Sequence, residues 1–300
     1  MILITGVAGF IGSNLLDYLI KKDNQMIIGI DNLIRGNLRN IKTYLGNKKF
    51  KFFKKDVTHP NFLENLNKTE LTTIFHLASL TNARESIQKP SEYFRSIVIG
   101  TFNVLELARK KDSKIVFPSS AAVYGNYKRK VKENDKPRPI SPYGVYKLLA
   151  EKLILSYHQI YGVEFTIFRI FNVYGPRARD GIIKILVDSL KNNKTVEIFG
   201  GHQRRDFIYV KDVIKIIAMH EKLSNDIFNL GTGRSYSILQ LIKLIEKISG
   251  KKLKIRYSKA KSGDIEYSCA DNSKLLSKIN FKFTTLEKGL RDLLKKHNEK

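Results

Sequence analysis

The chain contains one cysteine, Cys269, in 300 residues. A single thiol cannot build a disulfide framework, so a small stapled scaffold is excluded and a reducing compartment is the natural setting. No apolar run is long enough to span a bilayer. The opening "MILITG" goes straight into a strand, without the basic and apolar regions of a secretory signal. A soluble, cytoplasmic protein is expected. No Cys/His spacing suggests a metal site, and there is no internal repeat or low-complexity linker. Carboxylates are scarce: 28 Asp and Glu stand against 54 Lys and Arg, a formal net charge of +26. Such an excess would suit nucleic acid. Here, however, the lysines are scattered as pairs such as Lys54-Lys55, Lys110-Lys111 and Lys251-Lys252. That distribution fits a solvated surface, so neither nucleic acid nor a membrane is an expected partner. The positive field would still draw in a small anionic substrate.

What the chain does have is core. It is 42% hydrophobic, with 17 Phe and 14 Tyr spread along its length, which excludes disorder. Short apolar runs alternate with helical patterns through the first half. "MILIT", "MIIGID", "FKFFKKDV", "TTIFHLAS", "KIVFPSS" and "EFTIFRIFNVYG" (164–175) read as six strands, with helices over about 91–111 and 143–161. The run over 114–120 is expected to turn at Pro118. Strand, helix, strand at these intervals predicts βαβ units: a doubly wound parallel sheet of the Rossmann type. After Pro176 the rhythm loosens into a smaller mixed α/β unit. The expected division is residues 1–175, with return segments at about 206–232, and residues 176–300.

The turn "TGVAGFIG" places Gly6, Gly9 and Gly12 between the first strand and the first helix. Glycines there let backbone N–H groups approach a pyrophosphate at the helix N-terminus. The same spacing also serves a plain strand–helix turn. Asp31, nineteen residues after Gly12, ends the second strand, where a carboxylate can bind the adenosine ribose. It would repel a 2′-phosphate, which favours NAD over NADP, although Arg35 and Arg39 lie just beyond. Asp56 is a candidate for adenine or a loop cap.

Ser119 and Ser120 stand at the carboxyl end of the fifth strand, where parallel sheets bind ligands. Such a pair is also a common helix cap. Tyr143 and Lys147 in "SPYGVYKLLAE" are four apart and share one helix face. A Lys ammonium beside a phenol favours the phenolate, making Tyr143 a candidate general base. His76, inside "IFHLAS", reads as a hydrogen-bonded core residue.

In order, "TGVAGFIG", "FHLAS", "SSAAVYG", "PYGVYK", "FNVYGPR", "RDFIYVKDV", "NLGTG" and "GDIEYSCAD" resemble the extended short-chain dehydrogenase/reductases, and most of all their UDP-glucose 4-epimerase branch. The resemblance covers nearly the whole chain. It implies a catalytic Ser120, Tyr143 and Lys147. It implies NAD held by Gly6, Gly9, Phe10, Ile11, Gly12, Asp31, Asn32, Asp56, Val57, Leu77 and Ala78, together with Tyr143 and Lys147. It implies a UDP-sugar on Ser120, Asn172, Phe199, Arg205, Lys261, Asp264 and Ser268. The implied reaction inverts C4 through a transient 4-keto sugar, with UDP-glucose and UDP-galactose as substrates. The small Ser268, where glucose-restricted relatives carry Tyr, either leaves room for the 2-acetamido group of UDP-GlcNAc and UDP-GalNAc or merely sits in a strand. A homodimer is implied as well.

The chain departs from the family pattern at Ile97, where Asn is common, and at Lys261, where Arg is common. Lys lacks the bidentate fork of Arg. Related dehydratases carry an acidic pair where this chain has Ala121 and Ala122, so dehydration would lack its acid/base pair. The rival readings are another nucleotide-sugar enzyme on the same scaffold (a dehydratase, decarboxylase or reductase) and, from a different class, an NAD-sensing or nucleic-acid-binding basic protein.

Overall fold

The computed structural model describes residues 1–22, 24–63, 70–259 and 265–298. In chain order the strands and helices are β1 (Ile2–Thr5), α1 (Phe10–Lys22), β2 (Ile27–Asp31), β3 (Phe50–Lys54), β4 (Thr73–His76), α2 (Glu85–Gln88), α3 (Pro90–Phe94), α4 (Gly100–Lys111), β5 (Lys114–Ser120), α5 (Pro142–Tyr161), β6 (Phe165–Ile170), β7 (Asn172–Tyr174), α6 (Ile182–Asn192), β8 (Val196–Phe199), β9 (Arg204–Tyr209), α7 (Val210–Ile217), β10 (Asp226–Leu230), β11 (Ser235–Ser237), α8 (Ile238–Ser249), β12 (Ile255–Ser258), β13 (Tyr267–Ser268), α9 (Ser273–Lys278) and α10 (Leu286–Asn298).

The chain divides into two compact units. One comprises Met1–Gly125, Pro137–Arg169 and Ile214–Phe228; the other comprises Asn126–Lys136, Ile170–Val213 and Asn229–Lys300. The first is built on a seven-stranded sheet in the order β10-β6-β5-β4-β1-β2-β3. The pairings β1–β2, β1–β4, β2–β3 and β4–β5 are all parallel. This is the Rossmann order, which reverses beside β1 and puts the ligand crevice at the strand ends there. Every residue of β1, β2, β4 and β6 is buried. Helices covering both faces of a parallel sheet explain why these strands read as unbroken apolar runs. Val104, Leu105 and Ala108 of α4 and Ala150 and Ile154 of α5 pack in one core with Ile74 of β4 and Ile115 and Phe117 of β5. Fully burying one Leu or Ile side chain contributes about 1.5–3 kcal/mol, so this packing fixes α5 on the sheet.

The second unit carries a sheet of β11, β9 and β13 with β7 also on β9, and a separate pair of β8 and β12. Helix α8 opens on a capping box between Ser237 and Gln240 and closes on Gly250 at φ 69°.

Three details differ from the sequence reading. The run 164–175 is not one strand: Phe171 separates β6 from β7, and the two lie in different sheets. Strand β5 does not turn at Pro118 but continues to Ser120. The helix expected over 91–111 contains a π-helical turn at Arg95–Ile99, which buries Ile97 in the core. An apolar side chain there satisfies packing where the family's Asn would offer a hydrogen bond.

Candidate active site

In the first unit the glycine turn is packed too tightly for side chains. Gly6 adopts φ +69°, and a Cβ on it would stand 2.7 Å from the Ala78 nitrogen and 2.8 Å from the Leu77 carbonyl carbon. A Cβ on Gly12 would stand 2.2 Å from the Gly6 oxygen. Gly9 N–H donates to the Gly6 carbonyl at 3.0 Å, closing the turn just before α1 begins at Phe10. The first-turn amides of α1, at Phe10 and Ile11, have no acceptors within the helix, and the helix dipole favours an anion there.

Asp31 ends β2 beside this turn. Its Oδ2 accepts from the Ala8 amide at 2.9 Å and its Oδ1 from the Leu33 amide at 2.8 Å. Burial pushes the carboxyl above its ordinary range, while the Leu33 and Ala8 amides pull the other way. A Cβ on Gly36 would lie 2.4 Å from Asp31 Oδ1, so that glycine keeps the carboxylate uncovered. Asn32 donates to Asp56 at 3.0 Å, and Thr58 N–H donates to the same carboxylate at 2.8 Å. Burial works to raise Asp56, but the Thr58 and Asn32 bonds hold it below the usual range. The Val57 carbonyl accepts from the Asn103 side chain at 2.8 Å. Arg35 is ion-paired with Glu85. His76 is buried between the hydroxyls of Thr5 and Thr101, at 2.9 and 3.1 Å. Burial, and secondarily the Lys147 charge, push its pKa down to about 3, so it is a neutral core residue.

At the end of β5, Ser120 caps the short turn Ala121–Val123 by accepting from the Ala122 amide at 3.1 Å. The cap reading of the serine is thus met. Ser119 points elsewhere, into a buried bond with Glu151. Helix α5 starts at Pro142 under a Ser141 cap, which places Tyr143 in the first turn and Lys147 one turn later. The Tyr143 amide donates to Ser86 Oγ at 3.1 Å, and its ring meets Tyr93 edge-on at 6.5 Å. Lys147 Nζ donates to the Pro118 carbonyl at 2.9 Å and stands 4.4 Å from the centre of the Phe117 ring. It is buried, and that burial pushes its pKa down to about 7 against the opposing pull of Glu151. This unit thus gathers the glycine turn, Asp31, Asn32, Asp56, Leu77, Ala78, Ser120, Tyr143 and Lys147.

In the second unit, Asn172 opens β7 and its side chain donates to the Asp206 carbonyl at 3.3 Å. Arg205 on β9 is in register with Ser268 on β13. Phe199 ends β8, in the separate two-stranded sheet. Lys261 and Asp264 lie outside the described residues.

Sequence reasoning missed Glu151, Arg169 and Asp206, all 4% exposed or less. The signal was present. Arg169 interrupts the apolar "FTIFRI", and a charge inside a buried strand demands a buried partner. Among the described residues no group of His, Cys, Asp and Glu is placed to hold a metal, and no helix is long and apolar enough to cross a membrane.

Comparison with known proteins places this geometry. The pattern of the NAD dependent epimerase/dehydratase family matches residues 2–231. The chain is 40% identical, over 88% of each sequence, to a Methanocaldococcus jannaschii protein provisionally named UDP-glucose 4-epimerase. It superposes on the Thermotoga maritima UDP-glucose 4-epimerase, solved with UDP-glucose, at a TM-score of 0.93, with 31% identity over 99% of this chain and 98% of the other. The Bacillus cereus UDP-glucuronic acid 4-epimerase, solved with UDP-glucuronic acid and NAD, gives 0.91 at 31% identity over 99% of both. Similar proteins also include a Methanobrevibacter ruminantium UDP-N-acetylglucosamine 4-epimerase and UDP-glucuronic acid decarboxylases. With the family pattern spanning most of its length and these likenesses beside it, the chain belongs to the NAD dependent epimerase/dehydratase family.

Proposed function

We propose that the protein is a UDP-sugar 4-epimerase that interconverts UDP-glucose and UDP-galactose and also accepts the 2-acetamido sugars. One observation carries the reading. Lys147 reaches from α5 to the Pro118 carbonyl, at the strand end that bears Ser120, while Tyr143 stands one turn before it on the same helix.

The first unit fits NAD. The side-chain-free turn at Gly6, Gly9 and Gly12 and the amides of Phe10 and Ile11 would hold the diphosphate. Asp31 would take the adenosine ribose, and the Asn32–Asp56 pair would lie toward adenine. Bound NAD supplies a reversible hydride acceptor. The remaining work belongs to the protein. Tyr143 removes the proton from the sugar O4, helped by the nearby Lys147 ammonium. Ser120 donates to the same oxygen and holds it in line. Asn172, Arg205 and Lys261 would hold the diphosphate, Phe199 the uracil and Asp264 its ribose, which keeps the oxidised sugar from leaving. The Ala121–Ala122 turn after Ser120 offers no carboxylate for dehydration. Ser268 leaves space beside Arg205 for an acetamido group. We further propose a homodimer, supported by the exposed Phe102, Val145, Leu149 and Ile160 on α4 and α5.

The test is to incubate the purified protein with UDP-Glc, UDP-Gal, UDP-GlcNAc, UDP-GalNAc and UDP-glucuronic acid, and to identify products by NMR. Glucose–galactose and GlcNAc–GalNAc interconversion is expected, with NAD in the denatured supernatant and a dimer by light scattering. Tyr143→Phe should lower turnover about a thousandfold. Turnover of UDP-glucuronic acid alone would replace the substrate assignment, and full activity of Tyr143→Phe would remove the mechanism.

A further inference from the structure

Two successive turns of α5 reach the end of β5. Lys147 Nζ donates to the Pro118 carbonyl at 2.9 Å. One turn later Glu151 accepts from Ser119 Oγ at 2.5 Å. Adjacent residues of the strand are thus tied to adjacent turns of the helix, and Ser120 follows directly. Glu151 is 1% exposed. A carboxylate that deep is costly unless it is paired and hydrogen-bonded. Arg169 of β6 provides the pair: Nη2 meets Oε2 at 2.7 Å, and Nε meets Oε1 and Oε2 at 3.1 and 3.2 Å. Its Nη1 donates to the Tyr124 hydroxyl at 3.0 Å, and the guanidinium stands 4.9 Å from the centre of that ring.

We propose that Glu151, backed by Arg169, is a positioning residue that keeps the Lys147 ammonium charged and fixes the strand end bearing Ser120 against the helix bearing Tyr143. The inference rests on the reading of Tyr143 as the base.

Each element around Lys147 presents a group to it. Strand β5 offers the Phe117 ring and the Pro118 carbonyl. Strand β4 offers His76, which burial keeps neutral at neutral pH, its pKa about 3. Helix α5 offers Glu151, with Tyr143 one turn before Lys147 on the same helix, and β6 offers Arg169 through Glu151. Burial drives the Lys147 pKa down to about 7, and Glu151 is the charge that opposes the fall. Without that carboxylate the ammonium would lose its proton at lower pH, and Arg169 would remain as a second buried cation.

The test uses the full chain with lysine labelled at Cε, the Lys147 signal being assigned by its loss in Lys147→Met. In Glu151→Gln the NMR titration midpoint of Lys147 should fall by about one pH unit or more. The double variant Glu151→Gln, Arg169→Gln removes the orphaned guanidinium along with the carboxylate and should give a midpoint between the two. In turnover of a UDP-sugar, the alkaline edge of kcat should move down with the midpoint, while KM changes less than about threefold. An unmoved Lys147 midpoint in either folded variant overturns the proposal. The NMR readout needs no turnover, so an inactive wild-type protein would count against the Tyr143 reading and leave the Glu151 result to stand by itself.

Discussion

Asp31 in the first unit and Asp206 in the second are both buried carboxylates that burial pushes above the usual carboxyl range. They differ in how much of their hydrogen-bonding capacity the fold consumes. Asp31 is 6% exposed and takes one backbone amide on each oxygen. A carboxylate can accept about four bonds, so Asp31 keeps room for further donors, such as the ribose hydroxyls of the proposed site. Asp206 is fully buried. Its Oδ1 takes the Thr232 amide and hydroxyl at 2.9 and 2.6 Å, and its Oδ2 takes the Gly233 and Ala270 amides at 2.9 and 3.2 Å. Its capacity is full. It ties the "NLGTG" turn and the Cys269–Ala270 segment to β9, beside Arg205. Similar chemistry is thus left with open capacity in one place and is used up in an internal knot in the other, and the count of donors tells them apart.

The contrast can be broken by mutation. The largest effect is expected for Asp206→Ala, which strands three backbone amides. At about 1–3 kcal/mol for each buried unpaired group, the urea-unfolding free energy should fall by about 3 kcal/mol or more. Asp31→Ala should cost less stability but weaken NAD binding about a hundredfold, from losing charge-assisted bonds to the ribose. Equal losses of stability, with cofactor affinity intact, would erase the distinction. The smallest effect belongs to the exposed pair of Arg129 and Asp135, bonded at 2.7 Å through both carboxylate oxygens. The Arg129 hydrogen bond holds the Asp135 pKa down at about 2. Its folded pKa is depressed, so its contribution is present above the unfolded value of 3.8 and is lost as pH falls through about 2. Asp206 has the opposite sign, because its folded pKa is raised: the protonation-linked part of its contribution is present below 3.8 and is lost as pH rises through the folded value, while its bonds to the three amides remain. Melting curves of Asp135→Asn against the native chain should differ slightly at neutral pH and converge below about pH 2.

Much of the fold was legible because a covered parallel sheet writes itself as apolar runs between glycine turns. The glycine turn and Asp31 were legible because they follow β1 and end β2 at fixed spacing, as backbone geometry requires. Other features carried no local mark. Phe171 changes sheets with neither Gly nor Pro beside it, so one apolar run served two strands. Pro118 looked like a breaker, yet β5 passes through it and its carbonyl receives Lys147. Arg169 did mark a charge inside an apolar strand, but its partner Glu151 lies eighteen residues away on a different element, and only tertiary structure brings them together.

The sheet order has a consequence for synthesis. β10, the edge strand beside β6, is supplied by residues 226–230, after β7, β8 and β9 of the other unit have been made. A nascent chain stopped near residue 200 would have β6 exposed as a bare edge, a template for pairing with other chains. Neither lobe can finish before the other has begun, so the polypeptide must emerge through residue 230 before the edge of β6 is covered.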